Sequence, residues 1–200
     1  MENNPDVLQV YDQIGDWFFQ NRSNGLMEKP YLDHLIQLAG KGSKVLDLGC
    51  GTGIPVMHYL LDQGMNVLGA DGSAKMLTIA RHNLPSAKFI QADMRKLDLD
   101  QSFDAIIAWH SLFHLTYDEQ IAMFSVFRKY LNKNGVLMFT SGNEQKETWS
   151  MNGGENLYHA SLETAHYKKL LEAEGFSIVS YTKDDPNCGG ATVWIAQLLK

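Results

Sequence analysis

The sequence has few of the features that mark secreted or membrane-spanning proteins. Only two of its 200 residues are cysteine, and two cysteines cannot form the disulfide framework of a small secreted protein. The opening residues Met-Glu-Asn-Asn-Pro-Asp lack the basic and apolar regions of a signal peptide. No stretch approaches the ~20 mostly apolar residues that are needed to span a bilayer. We therefore expect a soluble, cytoplasmic protein with no membrane partner.

Positive charge is also scarce. The chain has 17 Lys and Arg residues against 23 Asp and Glu, a net charge of −6, so it offers no excess of positive charge to a polyanion. We expect no nucleic acid partner and favour a small-molecule substrate. Hydrophobic residues make up 44% of the chain, enough to bury a full sheet between helices in a single domain spanning residues 1–200.

The middle of the chain alternates between strand and helix patterns. Apolar residues first recur at helical spacing over residues 5–20 and 27–39, and a short buried strand follows at 45–48. Further strands are predicted at about 66–70, 87–91, 103–109 and 135–140, with helices near 54–63, 73–83 and 118–131. This alternation is typical of βαβ units, so we predict an α/β fold with a doubly wound, Rossmann-like, mostly parallel sheet.

The last two strands are expected to be antiparallel. A helix near 161–174 leads into a strand at 176–181, and the link 184–190 to the final strand at 191–198 is short and turn-forming. A parallel crossover needs a dozen or more residues, so this link favours an antiparallel pair. Residues 142–160 show no regular pattern, and we predict there a loop that selects the acceptor, with Trp149, Met151, Tyr158 and His159 within it.

A glycine-rich turn joins the first strand to the next helix. Residues 47–53 read Asp-Leu-Gly-Cys-Gly-Thr-Gly, and glycines at this position let the backbone approach a ligand closely. Ile54 stands where the dinucleotide fingerprint needs its third glycine, and no Gly-Lys-Ser/Thr follows as in a P-loop. Asp47 either braces its own turn by bonding backbone N–H groups or contacts the ligand directly. Cys50 fills a gap between glycines, and nothing near it marks it as a nucleophile.

Two further carboxylates follow the next two strands. Asp71 ends the second strand, where it can accept hydrogen bonds from both hydroxyls of a ribose. Asp93 ends the third strand, where it can accept from an adenine amino group while Met94 lies on the base. Three strand ends then face one crevice, as expected for a ligand at a topological switch point.

Together these motifs resemble the motif series of class I S-adenosylmethionine-dependent methyltransferases. The resemblance rests on residues 45–53, Asp71, Asp93 and the Phe-Asp-Ala-Ile-Ile run at 103–107, and it covers nearly the whole chain. It implies a seven-stranded sheet ending in an antiparallel hairpin, with S-adenosylmethionine as cofactor and S-adenosylhomocysteine as product. The N-terminal segment resembles that of small bacterial members, which implies a helical cap over residues 1–40 in which Tyr11 and Arg22 hold the methionine carboxylate.

The predicted cofactor site combines this resemblance with the strand ends. Its residues are Tyr11, Trp17, Arg22, Asp47, Gly49, Cys50, Gly51, Asp71, Gly72, Met76, Asp93, Met94 and Trp109. For the cap residues a second interpretation stays open, in which Tyr11 and Trp17 are core aromatics and Arg22 is a solvated surface charge.

The segment after the fourth strand supplies the candidate catalytic residue. Methyl transfer to a neutral oxygen or nitrogen involves loss of a proton, and His110 lies nearest the strand tip, so we predict it as the base. Alternatively His110 only lines the pocket or bonds a loop carbonyl. His110 and His114 have a His-x-x-x-His spacing, but the glutamate of the zinc-protease motif and an evident third ligand are missing, so we expect no metal.

Two other functions remain compatible with the sequence. An NAD(P)-dependent oxidoreductase would share the parallel sheet and the acidic residue after the second strand, but the glycine spacing and the terminal hairpin speak against it. A non-catalytic S-adenosylmethionine-binding protein would keep the nucleoside site without an acceptor pocket. Residues 108–111, Ala-Trp-His-Ser, match neither signature of DNA methyltransferases. We therefore predict transfer of a methyl group to a small-molecule acceptor by in-line displacement.

Overall fold

Helices and strands alternate along the chain as the apolar patterns predict. The computed structural model describes residues 6–23 and 25–199. The helices are α1 (Val7–Asn21), α2 (Lys29–Ala39), α3 (Val56–Asp62), α4 (Ala74–Asn83), α5 (Tyr117–Tyr130) and α6 (Thr164–Ala173). The strands are β1 (Lys44–Leu48), β2 (Asn66–Asp71), β3 (Lys88–Gln91), β4 (Phe103–Ala108), β5 (Leu131–Ser141), β6 (Lys146–Asn152), β7 (Glu155–Ser161), β8 (Phe176–Asp185) and β9 (Ala191–Leu198).

Seven strands form one twisted sheet in the order β3-β2-β1-β4-β5-β9-β8. The pairs from β3 to β5 are parallel, and β9 is antiparallel to both of its neighbours. The predicted α/β fold and the predicted antiparallel final pair are therefore confirmed. Strand order reverses between β1 and β4, which opens a crevice at the carboxyl ends of these strands.

Both faces of the sheet are covered because successive strand residues point to opposite sides. On β4, Ile106 packs with the aromatic side chains of α5 and α6, whereas Ala105 and Ile107 pack with leucines of α2 and α3. The sheet edge that carries the predicted site is thus held by two hydrophobic clusters. In the part of the chain that the structure describes, no helix combines the length and the apolar character that crossing a bilayer requires.

The prediction of an irregular loop over 142–160 is wrong, because most of this segment forms the hairpin β6–β7. Its role in selecting the acceptor stays a prediction. The two strands pair antiparallel from Lys146 opposite Ser161 to Asn152 opposite Glu155. Gly153 and Gly154 have φ values of 59° and 91°, which suits a two-residue hairpin turn with positive φ at both positions. The sequence pattern does not predict this hairpin, because β6 is mostly exposed and therefore lacks an alternation of apolar and polar residues.

Helix α1 is docked between α4 and the β6–β7 hairpin. The Asp12 carboxylate accepts hydrogen bonds from Ser73 Oγ at 2.6 Å and from the Lys75 backbone N–H at 3.1 Å. On its other side, Val10 and Ile14 pack against Leu157 of β7. These contacts place α1 beside the crevice, on the turn that follows β2.

Candidate active site

A cavity of about 430 Å³ opens at the carboxyl ends of the central strands. This volume is within the range of small-molecule sites, roughly 300–1,000 Å³. Turns after β1, β2, β3 and β4 line it, and α1 contributes a further wall through Leu8, Tyr11 and Phe18. All of the predicted cofactor residues except Trp17 line this cavity, and so does His110. Trp17 is instead 40% exposed and lies against Gly153 of the hairpin turn.

The glycine turn after β1 is shaped by close approaches as well as by backbone angles. Gly49 has a φ of 76°, and a Cβ at this position would lie 2.3 Å from the Cβ of Ser111. Ser111 is fixed there because its Oγ donates a hydrogen bond to the Leu48 carbonyl at 2.7 Å. Only glycine therefore fits at this position, and the absence of a side chain leaves its backbone accessible from the cavity.

Asp71 joins the glycine turn to the start of α4. One carboxylate oxygen accepts from the Gly51 N–H at 2.8 Å and the other from the Ser73 N–H at 2.9 Å. Burial raises the pKa of Asp71, the two N–H bonds oppose this shift, and the nearby Asp12 adds to it. Each oxygen keeps a lone pair for a further donor, so the predicted ribose contact has the acceptors it needs.

Asp47 is buried, and its carboxylate accepts no hydrogen bond from any residue within 6–23 and 25–199. Burial, with a smaller contribution from Asp71, raises its pKa to about 7, and Arg22 opposes the shift. The interpretation of Asp47 as a brace of its own turn is therefore wrong. Asp47 presents an unpartnered acceptor to the cavity.

Arg22, just after α1, is the cation that remains available in the described part of the cavity lining. Its guanidinium lies 3.9 Å from the buried Glu28 and 5.4 Å from the centre of the Phe18 ring. The other lining arginine, Arg95, is already paired with Asp93 and with Glu119 of α5. Arg22 can thus bind a carboxylate without breaking a short ion pair.

Asp93 stands where the sequence predicts it, but with a partner that sequence reasoning missed. Its two oxygens accept from Arg95 Nε and Nη2 at 2.8 and 2.7 Å. Burial alone would raise the pKa of Asp93, and the hydrogen bonds from Arg95 lower it below its usual value. Glu119, which also closes the capping box with Thr116, holds the second end of Arg95. Spacing alone gives no signal for this three-residue network.

His110 has a positive φ of 50° and is held by its backbone N–H, which donates to Thr140 Oγ1 at 2.9 Å. Its ring packs between Trp109 and Phe113, with centroid distances of 5.2 and 5.7 Å. No described side chain or carbonyl hydrogen-bonds either ring nitrogen. Burial, helped by the positive charge of Arg22, lowers the pKa of His110 to about 4. The imidazole is therefore neutral and can accept a proton at the cavity wall.

Tyr11 and His114 form a hydrogen bond whose direction can be assigned. His114 Nδ1 lies 2.9 Å from the Tyr158 carbonyl oxygen, and Nε2 lies 2.9 Å from Tyr11 Oη. A carbonyl only accepts, so Nδ1 carries the proton. Burial lowers the pKa of His114 to about 3, so Nε2 has no proton. Tyr11 must therefore donate to Nε2. The two residues are 103 positions apart, so the sequence alone does not predict their pairing.

The remaining predicted residues contribute to the walls of the cavity. Gly72 lies beneath α1, where a Cβ would meet the Leu8 side chain at 2.4 Å. Burial raises the pKa of the Cys50 thiol, so nothing favours its thiolate. Trp109 has a buried Nε1 with no hydrogen-bond partner among the described residues. Those residues also contain no group of three His, Cys, Asp or Glu side chains that could hold a metal ion.

Comparison with known proteins identifies the family. A family model described as "Methyltransferase domain" matches residues 45–135. An uncharacterized methyltransferase of Bacillus licheniformis is 30% identical over 175 residues, which span 80% of this chain and 78% of that relative. A dTDP-3-amino-3,4,6-trideoxy-alpha-D-glucopyranose N,N-dimethyltransferase of Streptomyces venezuelae is 34% identical over 100 residues, 49% of this chain and 42% of the relative. The chain spans less than half the length of several curated relatives that it matches.

A solved structure shares the whole fold. The S-adenosylmethionine-bound amino pentose methyltransferase CalS10 of Micromonospora echinaspora superposes with a TM-score of 0.71 at 19% identity, covering 95% of this chain and 97% of CalS10. At this identity the likeness speaks for the fold alone. The match to the Bacillus relative extends over most of both sequences and carries the family assignment. This chain belongs to the class I S-adenosylmethionine-dependent methyltransferases.

Proposed function

We propose that this chain binds S-adenosylmethionine in the cavity and transfers its methyl group to a small-molecule acceptor by in-line displacement. One observation carries the proposal. The unpartnered carboxylate of Asp47 and the neutral, unpartnered imidazole of His110 line the same cavity. A cofactor-binding group and a proton acceptor are thus brought together, which a cofactor-binding protein without catalysis would not need.

The residues of the cavity fit the chemical groups of the cofactor. Asp47 offers a carboxylate to the amino group of the methionine part, and Arg22 offers a guanidinium to its carboxylate. The oxygens of Asp71 can accept from the ribose hydroxyls, while Asp93 and Met94 flank the place for the adenine. When bound, S-adenosylmethionine supplies an electrophilic methyl group on a positively charged sulfur.

The task of the protein is to orient the acceptor and exclude water. Alignment of two bound reactants can contribute ~7–11 kcal/mol toward lowering a barrier. Helix α1 supports this alignment because Asp12 and Ile14 tie it to α4 and to the hairpin, on opposite sides. His110 would take the proton that the acceptor loses during or after attack.

The acceptor is proposed to be small, and not a nucleic acid. The cavity holds about 430 Å³, much of which the cofactor would fill, and the chain has a net charge of −6. The Streptomyces relative is an N,N-dimethyltransferase of a dTDP-linked amino sugar, which supports a small-molecule acceptor here.

Calorimetry with three ligands tests the proposal. S-Adenosylmethionine and S-adenosylhomocysteine should bind, and NAD should not, because the glycine turn lacks the third glycine of the dinucleotide fingerprint. Incubation with methyl-labelled cofactor and a metabolite library should then show label transfer. Tight binding of NAD without binding of either adenosyl ligand would refute the proposed function. Binding without transfer to any metabolite would favour a non-catalytic protein.

A further inference from the structure

The hydroxyl of Tyr11 has its only proton engaged inside the protein. The hydroxyl donates a hydrogen bond to His114 Nε2, with 2.9 Å between Tyr11 Oη and Nε2. The Tyr158 carbonyl accepts from Nδ1 and so fixes that other ring nitrogen as the donor. Both Tyr11 and His114 line the cavity, so this hydrogen bond lies in its wall. What Tyr11 Oη can offer to a bound molecule is therefore a lone pair, not a proton.

We propose that the methyl acceptor is an amine whose N–H donates to Tyr11 Oη, and that His114 is the positioning residue that keeps Tyr11 an acceptor. This assignment rests on the proposed function and names its substrate class. The same geometry leaves Tyr11 unable to donate to the methionine carboxylate, so that contact falls to Arg22 alone.

Hydrogen-bond polarity excludes a carboxylate acceptor beside Tyr11. A carboxylate oxygen would face the lone pairs of Oη with no proton between them, which leaves both acceptors unsatisfied in a buried place. The net negative charge of the cavity lining also disfavours a carboxylate acceptor. Among the described residues, five carboxylate side chains and two arginines line the cavity, and Arg95 is already paired.

The weakness of His110 as a base favours an amine acceptor over a hydroxyl acceptor. A hydroxyl attacks well only after losing a proton to a strong base, and His110 has no carboxylate partner among the described residues that would strengthen its imidazole as a base: the ring packs between Trp109 and Phe113, and burial lowers its pKa. A neutral amine attacks with its own lone pair. The new C–N bond forms, the C–S bond breaks with its electron pair left on sulfur, and the resulting ammonium releases a proton to His110 or to water.

Matched probes test the substrate class. Benzylamine, benzyl alcohol and benzoate share one carbon skeleton, and glucosamine, glucose and glucuronate share another. We expect methyl-labelled cofactor to label nitrogen in at least one amine, and no alcohol or carboxylate. Label on oxygen would overturn the assignment, and so would a protein that binds S-adenosylhomocysteine by calorimetry yet labels neither amine. Failure to bind S-adenosylhomocysteine would instead overturn the proposed function itself, and the assignment with it.

Variants of His114 test its positioning role. His114→Phe keeps the ring packing but frees the Tyr11 hydroxyl to donate, so the KM of the labelled amine should rise and the matching carboxylate should inhibit better. We expect the ratio of carboxylate Ki to amine KM to fall roughly tenfold, the effect of about one hydrogen bond. His114→Gln should restore the ratio because its amide oxygen can accept from Tyr11.

A second histidine gives the matched control. His159 packs on His114 at a centroid distance of 4.8 Å, but it does not touch the Tyr11 hydroxyl or line the cavity. His159→Phe should leave the inhibitor ratio unchanged. Equal ratios in the wild type, His114→Phe and His159→Phe would overturn the role of His114. If His114→Phe does not fold by circular dichroism, Tyr11→Phe serves instead, and an unchanged amine KM there would overturn the contact.

Discussion

Replacing Asp47 by asparagine should stabilise the free protein above pH 7 while weakening its binding of S-adenosylmethionine. The carboxylate is buried and accepts no hydrogen bond from the described residues. An amide of nearly the same shape carries no charge that burial would penalise. The two effects have opposite signs because the charge of Asp47 is unfavourable in the free protein and favourable beside an ammonium group.

The size of the stabilisation follows from the pKa of Asp47. Burial, then Asp71, raise this pKa from 3.8 to about 7. Between these two pH values the folded state binds more protons than the unfolded state, so stability falls as pH rises. At ~1.4 kcal/mol for each pH unit, the full effect above pH 7 is about 4 kcal/mol. Well below pH 3.8 the carboxyl is protonated in both states and the effect vanishes, and at pH 4 only a small part of it is present.

Urea unfolding at pH 4 and at pH 8 measures this difference. The stability gain of Asp47→Asn over the wild type should be near zero at pH 4 and several kcal/mol at pH 8. Comparison with the wild type at each pH removes contributions from other groups, such as Asp71. Asp100→Asn, which changes an exposed carboxylate, should show no gain at either pH. A gain that is equal at pH 4 and pH 8 would refute the assigned pKa.

Proton release gives an independent measurement at the same residue. At pH 6 most of Asp47 is protonated in the free protein, and pairing with the amino group of the cofactor requires the ionised form. Binding should therefore release a proton, seen by calorimetry as a dependence of the binding enthalpy on the buffer. Asp47→Asn should lose this dependence and bind more weakly. A variant that binds as tightly as the wild type would show that the amino group lies elsewhere.

Three other changes test the remaining parts of the site. Asp71→Ala should weaken S-adenosylmethionine binding by roughly 1.5–3 kcal/mol, because it removes a charged hydrogen-bond acceptor; calorimetry showing unchanged affinity would place the ribose elsewhere. Deleting residues 1–25 removes α1 and Arg22 and should leave a folded sheet by circular dichroism with much weaker binding; equally tight binding would refute the cap. His110→Phe should lower the kcat for an amine acceptor only modestly while the Kd of S-adenosylhomocysteine stays similar, because water can take the proton that the product ammonium releases; a loss of roughly 100-fold or more would show that deprotonation precedes attack and would contradict an amine acceptor.

The sequence predicts the sheet well because its central strands β1, β4 and β9 are buried on both faces. Mostly apolar runs such as 45–48 and Phe103–Ala108 are stable only inside a layered fold, and the short link before β9 leaves no room for a parallel crossover. The glycine turn is also predictable, because φ values near 76° at Gly49 and Gly53 are available to few other residues. These features depend on local chain geometry, which the spacing of residue types along the sequence reflects.

The spacing of residues along the sequence does not predict contacts between distant segments. The pairing of Tyr11 with His114 joins α1 to the turn after β4, and Arg95 reaches both Asp93 and Glu119. The motifs indicate Tyr11 and Asp93 as site residues, but spacing does not reveal which of their atoms already take part in hydrogen bonds. The engagement changes their chemistry, since a Tyr11 hydroxyl that donates inward is an acceptor toward the cavity.

Two groups that the fold leaves without a hydrogen bond among the described residues, the Trp109 indole N–H and the Asp47 carboxylate, lie in this site. A buried polar atom without a hydrogen bond costs roughly 1–3 kcal/mol, and Trp109 Nε1 is such an atom. The Asp47 carboxylate adds a larger penalty above pH 7, because burial disfavours its ionised form. Both residues line one cavity at the carboxyl ends of β1 and β4, away from the two hydrophobic clusters that stabilise the sheet. Unfavourable groups gathered at one edge of a well-packed sheet are accounted for by a ligand that satisfies them, because no described contact of the fold does.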